Sequence, residues 1–399
     1  MRHTFEELMI KRIKIRDFKS IRELDLELKP VTVLVGRSGT GKSNVVQAIR
    51  FLRNLLLNYE QAVNYEGGWV RIVPEGEKTP QTSMAVTFAV PGEEKEYSYA
   101  VAFGIAGTAF PGMLPLTAER LSLGEEIVFS RAYEPRLGWT WAKSPNVTPV
   151  PQMSGTPMLG SFPTLQQVVF ANAALSTGIG FYHFPSNALS RQAGAVTVFP
   201  QQGPGLMENA VNYLQMMGAI TQDFHQPGTR KNILASLRKI NPAIESVELD
   251  SLMNPQRAII GHKADRGIFA LALEQESDGF RRFYAHLLAL YQTPPKLTLL
   301  FEEPENAIFP GALSLLADEF NAAPRENRGQ VILTTHSPTL LDSFDVDNIR
   351  VVDMRDGKTV VGPVSKEQRQ AVKDQLLTTG ELLTVDNARL DEEAVAQPA

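Results

Sequence analysis

The sequence predicts an α/β protein with a mostly parallel central sheet, an antiparallel β subdomain and a helical insertion. An apolar strand pattern at 31–35 leads into a glycine-rich turn and then a helical pattern, which is typical of one α/β unit. Two further apolar strands, at 297–301 and 331–335, end in charged or polar residues. Apolar and polar residues alternate within 84–104 and 126–142, which favours antiparallel hairpins.

The remaining elements follow from the same periodicities. Half-buried strands are predicted at 10–18, 22–29, 245–250 and 267–274, and a hairpin around 355–357. Helical patterns lie near 163–176, 205–221, 229–239, 278–291 and 311–322, and 143–162 has the composition of a long loop. We therefore predict an N-terminal lobe (1–142), a loop-rich and helical insertion (143–244), a C-terminal lobe (245–363) and a C-terminal helix with an acidic tail (364–399).

Composition excludes several kinds of site. The net charge of −5 and the pI near 5.8 argue against a generally basic nucleic-acid binder, although a local basic stripe would still be compatible. The absence of cysteine excludes disulfides and thiolate chemistry, and it suits a reducing compartment. The sequence contains no apolar run of about 18 residues and no signal-peptide pattern at its start. We therefore expect a cytoplasmic protein that does not span a membrane.

The glycine-rich turn matches the P-loop pattern for phosphate binding. Its glycines let backbone N–H groups converge on a phosphate, and the following helix adds the positive end of its dipole. Lys42 is expected to reach the β- and γ-phosphates, and the Ser43 hydroxyl to hold Mg²⁺. The whole predicted loop is Gly36, Arg37, Ser38, Gly39, Thr40, Gly41, Lys42 and Ser43.

Two carboxylates follow the apolar strand at 297–301. Ligands bind where parallel strands end, and successive side chains at a strand end point in different directions. We assign Glu302 to Mg²⁺, through water, and Glu303 to polarising the attacking water. Taken alone, the pair would more often be a solvated acidic turn.

A histidine follows the next apolar strand. His336 is predicted to lie at the same edge as Glu303, with Pro338 starting the next helix. Its ring could donate to a γ-phosphate or orient the water. We interpret the other histidines (His3, His183, His225, His262 and His286) as structural.

In this order, the motifs resemble those of ABC-class ATPases of the SMC/RecF/OLD type, and most closely those of compact prokaryotic AAA-family ATPases. The likeness rests on IKIRDFKSI before the P-loop, GKSN within it, FYHFPSNALSR at 181–191, ESDGFRR at 276–282, EEPE and TTHSP. It implies an ABC-type P-loop NTPase that uses ATP and Mg²⁺, with Asn44 also at the nucleotide.

The same resemblance implies that Ser277 and Gly279 form a signature motif. In such families this motif grips the γ-phosphate bound to a second subunit, so we expect an ATP-dependent, head-to-tail homodimer. A helix start preceded by a hydroxyl is a reasonable anion site. Without the family, Ser277 is merely a helix cap.

The chain departs from the family pattern in places. Phe309 stands where relatives often carry a histidine, so any role of that histidine is absent. The metal-binding glutamine loop is not placed, with Gln61 and Gln81 as candidates. Lys19 and Ser20 are weaker candidates for approaching the nucleotide.

The segment between Ser43 and Ser277 is longer than in transporter ATPases and lacks the heptad arms of SMC proteins. The segment after His336 is too short for an OLD-type nuclease domain. We therefore expect an ATP-gated clamp in DNA repair or phage defence, acting on DNA or on a nuclease or effector partner. The alternatives are a low-turnover ATP-bound scaffold and a small-molecule kinase. Candidate DNA contacts are Lys11, Arg12, Lys14, Arg16, Arg230, Lys231, Arg281 and Arg282.

Overall fold

The computed structural model describes residues 10–76, 81–90, 94–104, 116–134, 137–144, 157–159, 162, 164–185, 187–189, 205–223, 228–250, 256–265 and 267–396. Its strands are β1 Ile10–Phe18, β2 Ile21–Glu27, β3 Val31–Val35, β4 Gln81–Phe88, β5 Tyr97–Gly104, β6 Leu116–Leu123, β7 Glu126–Glu134, β8 Gly138–Lys143, β9 Ile179–Tyr182, β10 Ile244–Asp250, β11 Arg257–Ala264, β12 Gly267–Ala272, β13 Thr298–Glu302, β14 Gln330–Thr334, β15 Ile349–Arg355 and β16 Lys358–Pro363. Its helices are α1 Lys42–Leu57, α2 Tyr59–Tyr65, α3 Trp69–Ile72, α4 Gln166–Leu175, α5 Tyr213–Gln222, α6 Thr229–Ile240, α7 Asp278–Leu290, α8 Pro310–Arg325, α9 Pro338–Leu341, α10 Lys366–Lys373 and α11 Glu392–Ala396.

The central sheet has the order β16-β15-β3-β14-β13-β9, and all its pairings are parallel except β15 with β16. Every residue of β3 and β14 is buried, as is β13 up to Glu302. Continuous apolar runs suit strands covered on both faces. Alternate residues of these strands, such as Val33 and Leu34, belong to two separate hydrophobic cores, one on each face.

One core lies between the central sheet and an antiparallel sheet of order β2-β1-β4-β5-β6-β7-β8. The apolar residues of β1, β4 and β5 alternate with more exposed ones, and the buried set packs around α1. The other core gathers α5 to α8 and the small sheet β10-β11-β12 on the opposite face. The predicted α/β class, with its parallel sheet, antiparallel β subdomain and helical insertion, is confirmed.

Some elements differ from the prediction. Strands β6, β9 and β11 were not predicted, and the helix expected at 205–221 begins only at Tyr213. In β6 the buried position at Glu119 breaks the apolar alternation, because its carboxylate pairs with Arg131 inside the protein. Before α5, Gly205 and Ala210 have φ angles of 129° and 57°, outside the helical range, and the Leu206 N–H donates to the buried Gln292 Oε1 at 2.9 Å.

Most of the predicted loop 143–162 lies outside the described residues. The described helices include none that is both long and apolar enough for a transmembrane segment.

Candidate nucleotide-binding site

The register of the parallel sheet brings the predicted site residues to one edge. Leu34 of β3 is paired with Thr334 of β14, and Thr334 is paired with Glu302 of β13. The P-loop, the carboxylate pair and His336 each follow directly at the carboxyl ends of these neighbouring strands. This edge is where ligands bind in parallel α/β sheets.

The conformation of the P-loop depends on its glycines. Gly39 and Gly41 have φ angles of 80° and 99°, which favour glycine. A Cβ on Gly41 would lie 2.0 Å from Thr359 Oγ1, and one on Gly36 would lie 2.1 Å from the Val352 carbonyl oxygen. The hairpin β15–β16 therefore packs directly against the back of the loop.

The buried Lys42 faces the inside of the loop. Its Nζ donates to the carbonyl oxygens of Gly36 and Arg37, at 2.8 and 2.9 Å. Burial lowers the Lys42 pKa to about 8, while the negative charges of Glu303 and Glu305 act in the opposite direction. The acidic groups favour the protonated form of Lys42. Lys42 is therefore a cation at the centre of the loop, where it can bind an anionic phosphate.

A hydroxyl network supports the other side of the loop. Thr359 Oγ1 donates to the Thr40 carbonyl at 3.1 Å and lies 2.6 Å from Ser20 Oγ. Asn44 Nδ2 also donates to Ser20 Oγ, at 2.6 Å. Asn44 and Ser20 thus bond to each other behind the loop. Thr359 was not predicted as a site residue, and its sequence signal was the predicted hairpin at 355–357.

The carboxylate pair follows a sharp change of backbone direction. Glu303 has a φ of 46°, and its N–H donates to Thr334 Oγ1 at 3.1 Å. Its Oε2 accepts from Asn306 Nδ2 at 2.9 Å, and its Oε1 lies 3.6 Å from His336 Nε2. The Glu303 and His336 side chains are 38% and 37% exposed, so both remain accessible to a water molecule or phosphate. This pairing fits a carboxylate that polarises water.

The chemistry of the donors also fits a magnesium ion bound together with a triphosphate. Ser43 and Glu302 are both partly exposed at this edge. The described residues contain no cluster of three or more acidic or histidine side chains suited to a metal. Mg²⁺ usually keeps several waters and takes only one or two protein ligands beside phosphate oxygens, so such a cluster is not required.

Glu305 is a site residue to which the sequence analysis gave no role. Its Oε1 accepts from Thr335 Oγ1 at 2.8 Å and from the His336 backbone N–H at 2.7 Å. It therefore connects the segment after β13 with the segment after β14. Its sequence signal was its place as the last residue of the EEPE motif.

The predicted signature motif lies at the start of α7. Ser277 caps the helix, its Oγ accepting from Phe280 N–H at 3.3 Å, and both Ser277 and Asp278 are exposed. A Cβ on Gly279 would lie 2.8 Å from the Ala307 carbonyl oxygen, so α7 packs closely on the segment after Glu305. Among the described residues, no hydrogen bond joins Ser277 to the P-loop of the same chain.

The weaker candidates have other contacts. Lys19 Nζ donates to Gln47 Oε1 at 2.6 Å and to Glu66 Oε2 at 2.7 Å. Gln61 lies in α2, and Gln81 is exposed at the start of β4. Phe309, just before Pro310 of α8, is 52% exposed.

Many of the basic candidates for DNA contact are ion-paired. Arg12 and Lys14 both pair with Asp25 of β2, and Arg281 is buried beside Asp278. The remaining pairs are Lys11 with Glu96 and Arg230 with Glu248, and Arg282 donates to the Asn306 carbonyl. These contacts reduce the positive field that the sequence suggested.

The five histidines interpreted as structural lie in different environments. Burial lowers the pKa of His286 to about 3, and its Nδ1 lies 2.7 Å from the Arg282 carbonyl oxygen. His262 is buried and its Nε2 lies 2.5 Å from Glu276 Oε1. His183 is exposed, and His3 and His225 lie outside the described residues.

Comparison with known proteins gives matches to two family models and to a curated relative. A family model described as "AAA ATPase domain" matches residues 9–128, and one described as "AAA domain, putative AbiEii toxin, Type IV TA system" matches 205–342. A DNA replication and repair protein RecF from Arthrobacter sp. (strain FB24) is 43% identical over 49 residues. That segment spans 12% of this chain and 12% of the relative.

Two solved structures are similar over most of the chain. An SMC head bound to the C-terminal winged-helix domain of ScpA matches with a TM-score of 0.56 and 14% identity, covering 90% of this chain and 99% of the other. An SMC head with an extended coiled coil, bound to the C-terminal domain of ScpA from Pyrococcus furiosus, matches with a TM-score of 0.54 and 15% identity, covering 92% and 99%. At these identities the likeness shows a shared fold.

Proposed function

We propose that this chain is an AAA-family ATPase of the SMC and RecF type, which binds ATP with Mg²⁺ and hydrolyses it as an ATP-gated clamp. The observation that carries the proposal is the meeting of the Lys42 loop with Glu303 and His336 at one edge of the parallel sheet. Phosphoryl transfer to water needs positioning and charge stabilisation more than covalent chemistry. These residues supply both.

Each side chain has a separate part in this proposal. Lys42 leaves the Gly36 and Arg37 carbonyls and binds the phosphates instead, since its ammonium group has no carboxylate within ion-pair distance among the described residues. Ser43 and Glu302 hold Mg²⁺, which supplies charge neutralisation at the phosphates when bound. Glu303 accepts a hydrogen bond from the attacking water, and His336 donates to the γ-phosphate or orients that water.

The exposed signature motif favours a second copy of the chain as the partner. Ser277 caps a helix start that faces solvent, so it is available to a phosphate on another subunit. A head-to-tail homodimer would bring Ser277 and Gly279 of one copy to the P-loop of the other. ATP would then bridge the subunits, and hydrolysis would remove the bridge.

Cytoplasmic DNA repair or phage defence remains the proposed setting for this clamp, with DNA or a nuclease or effector protein as its target. The RecF protein is named for replication and repair, and the matched SMC heads are bound to ScpA. Sequence similarity to RecF covers a short segment only, and the ion-paired basic residues make a protein target the stronger proposal.

Phosphate release by wild type and Glu303→Gln tests the proposal. We expect the variant to lose about 10²- to 10⁴-fold in turnover, because removal of a general base has that effect. It should still bind ATP, and a dimer should accumulate in ATP on size-exclusion chromatography. Asp318→Asn, which changes an exposed carboxylate on α8, is the matched control and should turn over normally.

The same assay separates the alternatives. Tight ATP binding with negligible wild-type turnover would favour the low-turnover scaffold. Transfer of the γ-phosphate to a small molecule would favour a kinase. Equal turnover of wild type and Glu303→Gln would contradict the catalytic assignment.

A further inference from the structure

We propose that Glu305 is a positioning residue that fixes His336 against Glu303 and so sets the rate of hydrolysis. The inference rests on the proposed function, because it concerns the same site. It goes beyond that proposal by assigning a role to a carboxylate that the proposed hydrolysis does not use.

One oxygen of Glu305 accepts two hydrogen bonds from the segment that carries His336. Glu305 Oε1 accepts from Thr335 Oγ1 at 2.8 Å and from His336 N–H at 2.7 Å. Thr335 is fully buried, so its hydroxyl has no bulk water as an alternative partner. A charged acceptor shared by two donors makes stronger hydrogen bonds than a neutral one.

The contacts continue into the next helix. Ser337 N–H donates to Thr335 Oγ1 at 3.0 Å, and Ser337 Oγ in turn accepts from Leu340 N–H to cap α9. Since the Thr335 hydroxyl has one proton, accepting from Ser337 leaves that proton for Glu305. The carboxylate therefore orients the whole turn that carries His336.

The position of Glu305 links this turn to the catalytic carboxylate. Glu303 and Glu305 are separated only by Pro304, and Glu303 N–H is held by Thr334 Oγ1 at 3.1 Å. The two strand ends are thus joined at Thr334 and again at Glu305. Two fixed points define the 3.6 Å separation between His336 Nε2 and Glu303 Oε1 better than one would.

The second carboxylate oxygen has a different environment. Glu305 Oε2 is buried and has no hydrogen-bond donor among the described residues. The charge of Glu305 also acts on Lys42, raising its pKa against the effect of burial. A buried ionised oxygen without a donor is unfavourable, so the site retains this carboxylate at some expense in stability. This argues for a role beyond packing.

Two substitutions separate the hydrogen bonds from the charge. Glu305→Gln keeps an oxygen acceptor of the same reach and removes the charge, whereas Glu305→Ala removes both. We expect kcat to fall about 10- to 100-fold in Glu305→Ala with KM for ATP changed less than about threefold, because a displacement of about 1 Å has such effects. Glu305→Gln should recover only part of kcat, because a neutral oxygen makes weaker hydrogen bonds to the same two donors.

A double-mutant cycle tests whether Glu305 acts through His336. Once His336→Ala has removed the ring, the further change Glu305→Ala should lower kcat less than about twofold. Glu319→Ala is the matched control, because it removes a buried carboxylate that pairs with Arg328 at 3.1 Å and does not contact the site. Its effect should be the same with and without His336.

Amide hydrogen exchange gives a result that does not depend on turnover. Glu305→Ala should raise exchange of the segment 335–337 about tenfold or more over wild type, and Glu319→Ala should not. Unchanged exchange, or additive losses in kcat, would overturn the proposal. If wild type does not hydrolyse ATP but the exchange result holds, the proposed function fails while the positioning contact stands.

Discussion

The two halves of the proposed ATP site differ in how far one chain completes them. The P-loop half is enclosed, with Lys42 buried and Gly41 pressed against Thr359. The signature half is open, because Ser277 is exposed at the start of α7. One half is formed by its own fold, and the other presents groups that no described part of the chain covers.

This difference has a physical consequence for regulation. The P-loop half can bind nucleotide in a single copy, since its loop is already folded and Lys42 has only to exchange the Gly36 and Arg37 carbonyls for phosphate oxygens. The open half contributes to ATP binding only when a second surface contacts it. Its interaction free energy therefore adds to the free energy of subunit association. The predictions below test this division, beginning with the largest expected effect.

Lys42→Ala should give the largest loss in the enclosed half. Removing a charged donor to phosphate costs about 1.5–3 kcal/mol, so ATP affinity should fall about 10- to 100-fold. Titration of a fluorescent ATP analogue against the monomeric protein measures this. Lys95→Ala removes the same charge far from the loop in sequence and serves as the control. An unchanged ATP affinity in Lys42→Ala would contradict the role of the P-loop half in nucleotide binding.

Gly41→Ala should disturb the same half through the backbone. The φ of 99° and the 2.0 Å approach to Thr359 Oγ1 leave no room for a Cβ. We expect a loss of about 1–3 kcal/mol in the free energy of unfolding, measured by urea denaturation. Gly357→Ala is a useful control, because its φ of 73° gives similar strain but a Cβ there would meet no atom within 4 Å. Equal losses in both variants would show that contact with Thr359 does not matter.

The pH dependence of ATP binding should be smaller. In the free protein burial lowers the Lys42 pKa to about 8, and a bound triphosphate would raise it. Affinity should therefore be full below pH 8 and fall at higher pH, by up to about tenfold per pH unit, because binding must then take up a proton. Lys42→Arg keeps its charge, so isothermal titration should show a flat profile between pH 8 and 9. A slope of the same size in that variant would assign the effect to another group.

Ser277→Ala should have the smallest effect on nucleotide affinity, less than about twofold in the monomer. Loss of the cap should lower the free energy of unfolding by about 1 kcal/mol. ATP-induced dimerisation, followed by analytical ultracentrifugation, should be weakened. Ser365→Ala removes the cap of α10 instead and should leave dimerisation unchanged. A normal dimerisation affinity in Ser277→Ala would contradict the proposed signature role of Ser277.

Much of the fold was predictable because its signals are local in sequence. The buried strands β3, β13 and β14 are continuous apolar runs, and the P-loop follows one of them directly. The helix expected at 205–221 was partly wrong because Gly205 and Ala210 have φ angles of 129° and 57°, which no α-helix accommodates. The predicted domain limits, and the roles given to Glu302, Glu303, His336 and Ser277, stay predictions.

By itself the sequence determined which groups were candidates for phosphate binding and hydrolysis. They are the loop around Lys42, the carboxylates at the end of one strand and the histidine after another. Only the tertiary structure decided that Thr359 supports the loop and that Glu305 holds the turn of His336. Contacts of this kind join residues far apart in the chain. Their geometry depends on how whole elements pack, so no short segment encodes it.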